Sequence, residues 1–153
     1  MDAFLRWSNP DLLDDRLLHC CAVWHVLSAL ALDPAAVPAP QRGSVSELTV
    51  QGMALMISSA RVLADRSTVF SLGTSSHTTP LLCLLEPGSQ AIEPLDPGQW
   101  QFWLVPRQRF SSDRQTVGLH PLRRSQGDGL SHASLASAIA ARAAAAVDLN
   151  QEA

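Results

Sequence analysis

The residues best able to do chemistry lie in the segment HCCAVWH, which brings two histidines and two cysteines together. Cys21 and His25 are four positions apart, so on a helix they share one face and could supply two ligands to a metal ion. A structural zinc site needs four ligands, and no second pair such as C-x-x-C or H-x-x-x-H exists. We therefore interpret the cluster as buried cysteines beside a partly exposed histidine, and we expect no cofactor.

A second candidate is the segment FSLGTSSHT, which is rich in glycine and serine and follows a strand pattern. Such a loop could cradle phosphate, or pair His77 with a nearby serine. It contains neither G-x-x-x-x-G-K-[ST] nor G-x-G-x-x-G, and it has no G-x-S-x-G elbow with an orienting acid. We interpret it as an ordinary surface loop.

A third candidate is an arginine-rich segment in the second half of the chain, where five arginines fall within eighteen positions and only Asp113 opposes them. Its members are Arg107, Arg109, Arg114, Arg123 and Arg124. With Trp100 they could form a basic surface with aromatic faces for phosphate or single-strand contact, although Trp103 and Phe110 are expected to pack inside. The alternatives are an ordinary solvated surface and a contact with an anionic partner.

Composition narrows the chemistry further. Every basic residue is arginine, so the chain cannot use a lysine Schiff base, a phosphate-loop lysine or a lysine-assisted nuclease centre. The net charge of −3 is unevenly distributed. Residues 1–100 carry five arginines and ten acids, whereas residues 101–153 carry six arginines and four acids.

The chain is 153 residues long and 46% hydrophobic, which suits one domain with a single core. No apolar run reaches the roughly 18 residues that a membrane helix needs, and the N-terminus lacks a signal pattern. The three cysteines do not make a disulfide framework. We expect a cytoplasmic protein without a membrane partner.

The pattern of elements predicts how these side chains are positioned. Ser8, Asn9, Pro10 and Asp11 are typical of a helix start, and the helix is expected to end before Asp33. Four or five strands follow, in SVSELTVQG, MALMIS, STVFSLG, PLLCLLEP and WQFWLVP, with a short one in TVGL. Gly52 is expected in a tight turn and SARVLADR in a short helical turn.

A last helix is predicted after Ser131, because Leu135, Ile139 and Ala143 would lie on one face. The order of helix, strands and helix indicates an α/β or α+β sandwich. We place one domain at residues 1–147 and a disordered tail at 148–153.

Several motifs between Arg16 and Ile139 resemble a bacterial family of small restriction-endonuclease-like proteins with the PD-(D/E)xK fold. DPGQWQFWLVPRQRF is similar to a family segment in which a tryptophan, an aromatic strand and a proline follow one another. RQTVGLHPLRR, LSHASLASAIAA and LHCCAVWHVLSALALDP are similar to the family's later segment, closing helix and opening helix. The resemblance implies a mixed sheet flanked by an N-terminal and a C-terminal helix.

The same resemblance implies that catalysis has been lost. Active members carry v-E-V-K-S-a-A-Y-L-q, and LMISSARVLA places Met56 at the glutamate and Ser58 at the lysine. The opening-helix glutamate falls at Val23, and the upstream aspartate falls near Ser44 or Ser46, with Glu47 the only acid close by. Methionine, valine and serine cannot replace the Mg²⁺ ligands and the cation of such a site, although Arg61 could substitute in part.

The resemblance therefore implies a pseudonuclease, which is not an enzyme and acts as a binding or regulatory subunit. Its partner would be nucleic acid or a protein, contacted through the arginine-rich segment, and a homodimer would present two such segments. The alternative is a protein-interaction module, such as an immunity or assembly factor, whose acidic half matches a basic partner. A third hypothesis is an enzyme with a site around His77 or the HCC cluster.

Overall fold

The computed structural model describes residues 15–36, 45–62, 68–72, 78–106, 109–110 and 114–152. In these ranges the helices are α1 (Asp15–Ala29), α2 (Leu119–Gln126) and α3 (His132–Glu152). The strands are β1 (Val45–Val50), β2 (Met53–Arg61), β3 (Val69–Ser71), β4 (Thr79–Leu85), β5 (Trp100–Leu104) and β6 (Thr116–Gly118). No helix within the described ranges is long and apolar enough to cross a membrane.

Strands β1 and β2 form a tight antiparallel hairpin. Its turn consists of Gln51 and Gly52, whose φ angles are 52° and 79°. Two successive positive φ values are typical of the turns that best match the twist of paired strands. The prediction of a tight turn at Gly52 is confirmed.

The main sheet has the order β1-β2-β4-β5, and β4 runs parallel to β2 and antiparallel to β5. Residues Pro80 to Leu85 of β4 are all buried, because layers cover the sheet on both faces. A strand buried on both faces has a continuous apolar sequence rather than an alternating one, which explains PLLCLL.

The two faces of the sheet support two apolar clusters. Leu81, Cys83 and Leu85 of β4 pack in the larger cluster, with α1 and α3. Leu82 and Leu84 point the other way and pack against the ribbon of β3 and β6 and against α2. Burying each large apolar side chain contributes roughly 1.5–3 kcal/mol, so both layers stabilise the central strand.

The predicted α+β class with a mixed sheet is confirmed, and both predicted helices are present. They pack on the same face of the sheet, where residues of α1 and α3 share one apolar cluster. The predicted helix start at residues 8–11 lies outside the described residues. Helix α3 extends to Glu152, past residue 147 where the domain was predicted to end; the division into domain and tail stays a prediction.

One local prediction was wrong, and one helix was missed. The residues Ser59, Ala60 and Arg61, expected in a helical turn, continue β2 because they pair with Cys83, Leu84 and Leu85. Helix α2 was not predicted, since it is eight residues long and offers only Leu119 and Leu122 as buried positions. Tertiary packing therefore outweighed weak local signals in both places.

The segment before α3 is fixed to the outer edge of β5. Phe102 and Leu130 exchange two backbone hydrogen bonds of 3.0 and 2.6 Å. Gly129 lies so close to β5 that an added Cβ would be 2.8 Å from Cβ of Gln101 and 3.1 Å from the backbone nitrogen of Phe102. A side chain at this position would have to displace the strand.

We expect Gly129→Ala to lower the free energy of unfolding by about 1–3 kcal/mol, because the added methyl group overpacks the β5 edge. Urea denaturation followed by circular dichroism measures the change. Ser89→Ala, in an exposed turn, is the control and is expected to leave the free energy of unfolding within about 0.5 kcal/mol of the parent. Equal unfolding midpoints for all three proteins would contradict the close approach.

Candidate functional site

The hairpin of β1 and β2 separates the positions that the nuclease resemblance groups together. Opposite residues of an antiparallel pair share a face, and Glu47 lies opposite Met56 whereas Ser46 lies opposite Ile57. Since successive side chains alternate, Met56 and Ser58 lie with Glu47 on one face, and Ser46 lies on the other. Among the described residues of the hairpin, Glu47 is therefore the acid on this face.

Ser58, which the resemblance aligns with the catalytic lysine, is closed off from solvent. Its side chain is 1% exposed, and its Oγ accepts a hydrogen bond of 3.2 Å from the backbone N–H of Ser71 in β3. Met56 is half-buried on the same face. Arg61 is an odd number of residues from both, so the alternation of β2 turns it to the opposite face. Val23, at the opening-helix position, is buried in the larger core.

On the face of the sheet covered by α1, buried His19 forms a polar cluster with buried Ser59 and half-buried Ser46. Its Nδ1 is 2.9 Å from Oγ of Ser59 in β2, and its Nε2 is 2.6 Å from Oγ of Ser46 in β1. The serine hydroxyls can donate or accept, so a neutral ring satisfies both nitrogens whichever tautomer it adopts. The cluster connects α1 to two strands of the sheet.

A serine bonded to a histidine is also the arrangement of an activated nucleophile. The ring of His19 is 0% exposed, however, so it cannot pass a proton to the leaving group of a substrate in solution. Burial also lowers the pKa of His19, which keeps the ring neutral near pH 7. We therefore assign this cluster to stability. The sequence signal for it was a histidine in the apolar stripe of a helix.

His25 forms a second buried contact. Its Nε2 donates a 2.7 Å hydrogen bond to the carbonyl of Pro94, which also accepts a 2.8 Å bond from the indole of Trp100. His132, the first residue of α3, donates from Nε2 to the carbonyl of His25 at 3.0 Å. The two imidazole rings are 5.9 Å apart and nearly perpendicular. The side chain of His25 therefore joins α1 to the loop before β5, and the side chain of His132 joins α3 to α1.

The environment of His25 lowers its pKa. Burial is the main cause, and the neighbouring His132 adds to it, while the Pro94 carbonyl and the Asp96 carboxylate partly oppose the shift. The expectation of a partly exposed histidine in HCCAVWH was wrong, because His19 and His25 are both buried.

Cys21 packs in the core, where burial and the neighbouring Cys20 raise its pKa to about 12. Such a thiol stays protonated and is a poor metal ligand at pH 7. No three histidine, cysteine, aspartate or glutamate residues among the described ones are grouped so that they could hold a metal ion. His77 lies outside the described residues.

The predicted arginine cluster is not one uniform surface. Arg123 contacts both carboxylate oxygens of Glu86 at 3.1 and 3.2 Å, and its Nη2 donates to Oε1 of Gln101. Its guanidinium also lies 5.8 Å from the ring centre of Trp103. The sequence did not indicate that Glu86 pairs with Arg123, because thirty-seven positions separate the two residues.

The other candidate arginines differ from Arg123. Arg109, Arg114 and Arg124 are exposed, and Arg107 lies outside the described residues. Trp103 is buried, as expected, while Phe110 is only partly buried against the smaller cluster. Trp100 is buried as well, so neither tryptophan offers an aromatic face to a ligand.

Comparisons of the chain with family models, curated proteins and solved structures found no significant match.

We expect the free energy of unfolding to fall as the pH drops below about 6.5, the ordinary pKa of histidine. His19 and His25 have lowered pKa values in the folded state, so the unfolded chain binds more protons in acid. Urea titrations across this range measure the slope. His19→Asn should reduce it, and His120→Asn, at an exposed position, is the matched control. An identical slope in both variants would contradict the assignment to His19.

We expect Arg123→Ala to lower the free energy of unfolding by about 1–2 kcal/mol, because it removes a half-buried ion pair and the contact with Trp103. Arg124→Ala removes the same charge from an exposed neighbour and should change it by less than about 0.5 kcal/mol. Thermal and urea unfolding of the two variants provide the comparison. Equal losses would show that net charge, rather than the contacts of Arg123, sets the effect.

Proposed function

We propose that the protein is a catalytically inactive nuclease-fold domain, a pseudonuclease, that acts as a binding or regulatory subunit. The observation that carries this proposal is the burial of Ser58 beneath β3, at the position where the resemblance puts the catalytic lysine. Hydrolysis of a phosphodiester requires oxygen ligands for Mg²⁺ and a cation that reaches the attacked phosphate. Met56, Ser58 and Glu47 supply one carboxylate and no cation.

The proposed ligand surface is the exposed part of the arginine-rich segment. Its exposed described members are Arg109, Arg114 and Arg124. Arg107 belongs to the same stretch of sequence and lies outside the described residues. Arg123 is left out because its guanidinium is half-buried against Glu86 and Trp103. Guanidinium groups suit phosphate and carboxylate oxygens, so the ligand would be nucleic acid or an acidic protein surface. A homodimer would present two such surfaces.

The proposed place of action is the cytoplasm. Cys20, Cys21 and Cys83 are free thiols, which suits a reducing compartment. The net charge of −3 opposes strong non-specific binding to nucleic acid, so a weak contact through the arginines should depend on salt.

The second candidate is a protein-interaction module with no role on nucleic acid. The observation that favours it is the exposure of two large apolar side chains, Trp24 and Leu95, on ordered elements in the acidic part of the chain. Exposed aromatic and aliphatic side chains of this size are common anchors in protein interfaces.

We expect the intact protein to bind labelled single- or double-stranded DNA at about 50 mM salt, more weakly at about 200 mM, without cleaving it when Mg²⁺ is present. Replacing Arg107, Arg109 and Arg124 by alanine should weaken binding at least about tenfold, because phosphate contacts are lost. Gel shift and anisotropy measure the affinity, and the same gel reports cleavage.

The control is a second triple variant, in which Arg6, Arg16 and Arg42 are replaced by alanine. It has the same net charge as the first triple variant. It should bind DNA about as well as the parent. Equal weakening in both triple variants would point to overall charge and contradict the proposed surface. Binding at neither salt concentration would reject nucleic acid as the ligand, and Mg²⁺-dependent cleavage would reject the pseudonuclease.

A further inference from the structure

Two large exposed apolar side chains flank one buried hydrogen bond. His25 of α1 donates to the carbonyl of Pro94 at 2.7 Å; Trp24 precedes His25, and Leu95 follows Pro94. The side chain of Trp24 is 52% exposed and that of Leu95 is 59% exposed. The bond attaches the loop to α1 one residue away from each exposed side chain, and we call this exposed pair the Trp24–Leu95 surface.

Leu95 is exposed on an ordered loop. The side chain of Gln99, which is 4% exposed, accepts a 2.8 Å hydrogen bond from the backbone N–H of Glu93 and donates one of 2.8 Å to the carbonyl of Ala91. The indole of Trp100 donates to Pro94 in addition. The loop is therefore held from within and from β5, and its position does not depend on burying Leu95.

Trp24 is similarly held by its helix. The residues on either side of it, Val23 and His25, are buried, while Trp24 and Ser28 form the outward stripe of α1 at a spacing of four residues. Eight residues of α1 between Leu18 and Leu27 are buried, whereas Trp24 leaves a large apolar area in water. Covering that area would stabilise a complex, since aromatic side chains supply much of the binding energy in interfaces.

The charge of these two segments is mainly negative. Residues 15–36 and 86–99 contain five acids and one basic residue, Arg16, which follows Asp15 at the start of α1. Glu86 is occupied by Arg123, and the carboxylates that remain after Asp15 are Asp33, Glu93 and Asp96, of which Asp33 and Glu93 are exposed. An apolar centre with carboxylates nearby is complementary to a partner that combines apolar side chains with Arg or Lys.

We propose that the Trp24–Leu95 surface binds a basic, amphipathic segment of a partner protein. Apolar side chains of that segment would cover Trp24 and Leu95, and its cationic groups would approach Glu93 and Asp33. The surface has the opposite charge preference to the arginine-rich segment, so the two can take different partners, and this inference stands without the proposed contact with nucleic acid.

The test uses the intact protein and a fluorescein-labelled helical peptide of leucines and lysines, with the leucines on one face. A second peptide carries glutamate in place of every lysine. Fluorescence anisotropy gives Kd for the parent and for Trp24→Ser, Leu95→Ser and Val69→Ser. Val69 is the matched control, because it is 49% exposed and apolar but lies on β3, across the sheet from α1.

We expect the lysine peptide to bind the parent and Val69→Ser alike, and to bind Trp24→Ser and Leu95→Ser at least about tenfold more weakly, a loss of about 1.4 kcal/mol each. The glutamate peptide should not bind. Unfolding curves like that of the parent would establish that the exposed substitutions leave the fold intact.

Three results would overturn the proposal: absence of binding to the lysine peptide at low salt, equal affinity in all four proteins, or equal affinity for both peptides. A fourth contradicting result would come from analytical ultracentrifugation. If the parent sediments as a dimer and Trp24→Ser as a monomer, a second copy of the chain covers the surface and the basic partner is rejected. If the lysine peptide does not bind, the expected result of the DNA-binding measurement is unchanged, because that measurement concerns the arginine-rich segment.

Discussion

The burial of β4 on both of its faces is the constraint on which the rest of the structure depends. A strand with apolar side chains pointing both ways is stable only between two layers, and neither layer alone removes its surface from water. The helices α1 and α3 form one layer, while the β3–β6 ribbon and α2 form the other. The parallel pairing of β2 with β4 requires a connection across the sheet, and β3 lies in that connection.

The same constraint decides what the β1–β2 hairpin can do. Because the second layer lies over the face of Met56 and Ser58, the hydroxyl of Ser58 is occupied by the backbone of β3. On the other face, α1 covers Ser46 and Ser59, and burial there demands a hydrogen-bonding partner that His19 provides. The serine and histidine side chains that could suggest catalysis therefore form hydrogen bonds that attach the two layers to the sheet.

The two proposed binding surfaces differ in kind. The arginine-rich segment is polar, and one of its members has been drawn into the ion pair with Glu86, so its electrostatic attraction rests on the exposed arginines. The Trp24–Leu95 surface combines apolar area with carboxylates and lies on a helix and a loop that are ordered by buried hydrogen bonds. A rigid apolar surface loses little entropy on binding, whereas a charged one contributes more to the rate of association.

The sequence by itself determined the α+β class, most strands, the turn at Gly52 and the final helix, because these depend on local periodicity, turn chemistry and capping. It also determined that no lysine is present for catalysis. Only the tertiary structure decided that Ser46 and Ser58 lie on opposite faces, that His19 and His25 are buried, and that Arg123 pairs with Glu86. These facts depend on register and on contacts between residues far apart in the chain, which local patterns do not specify.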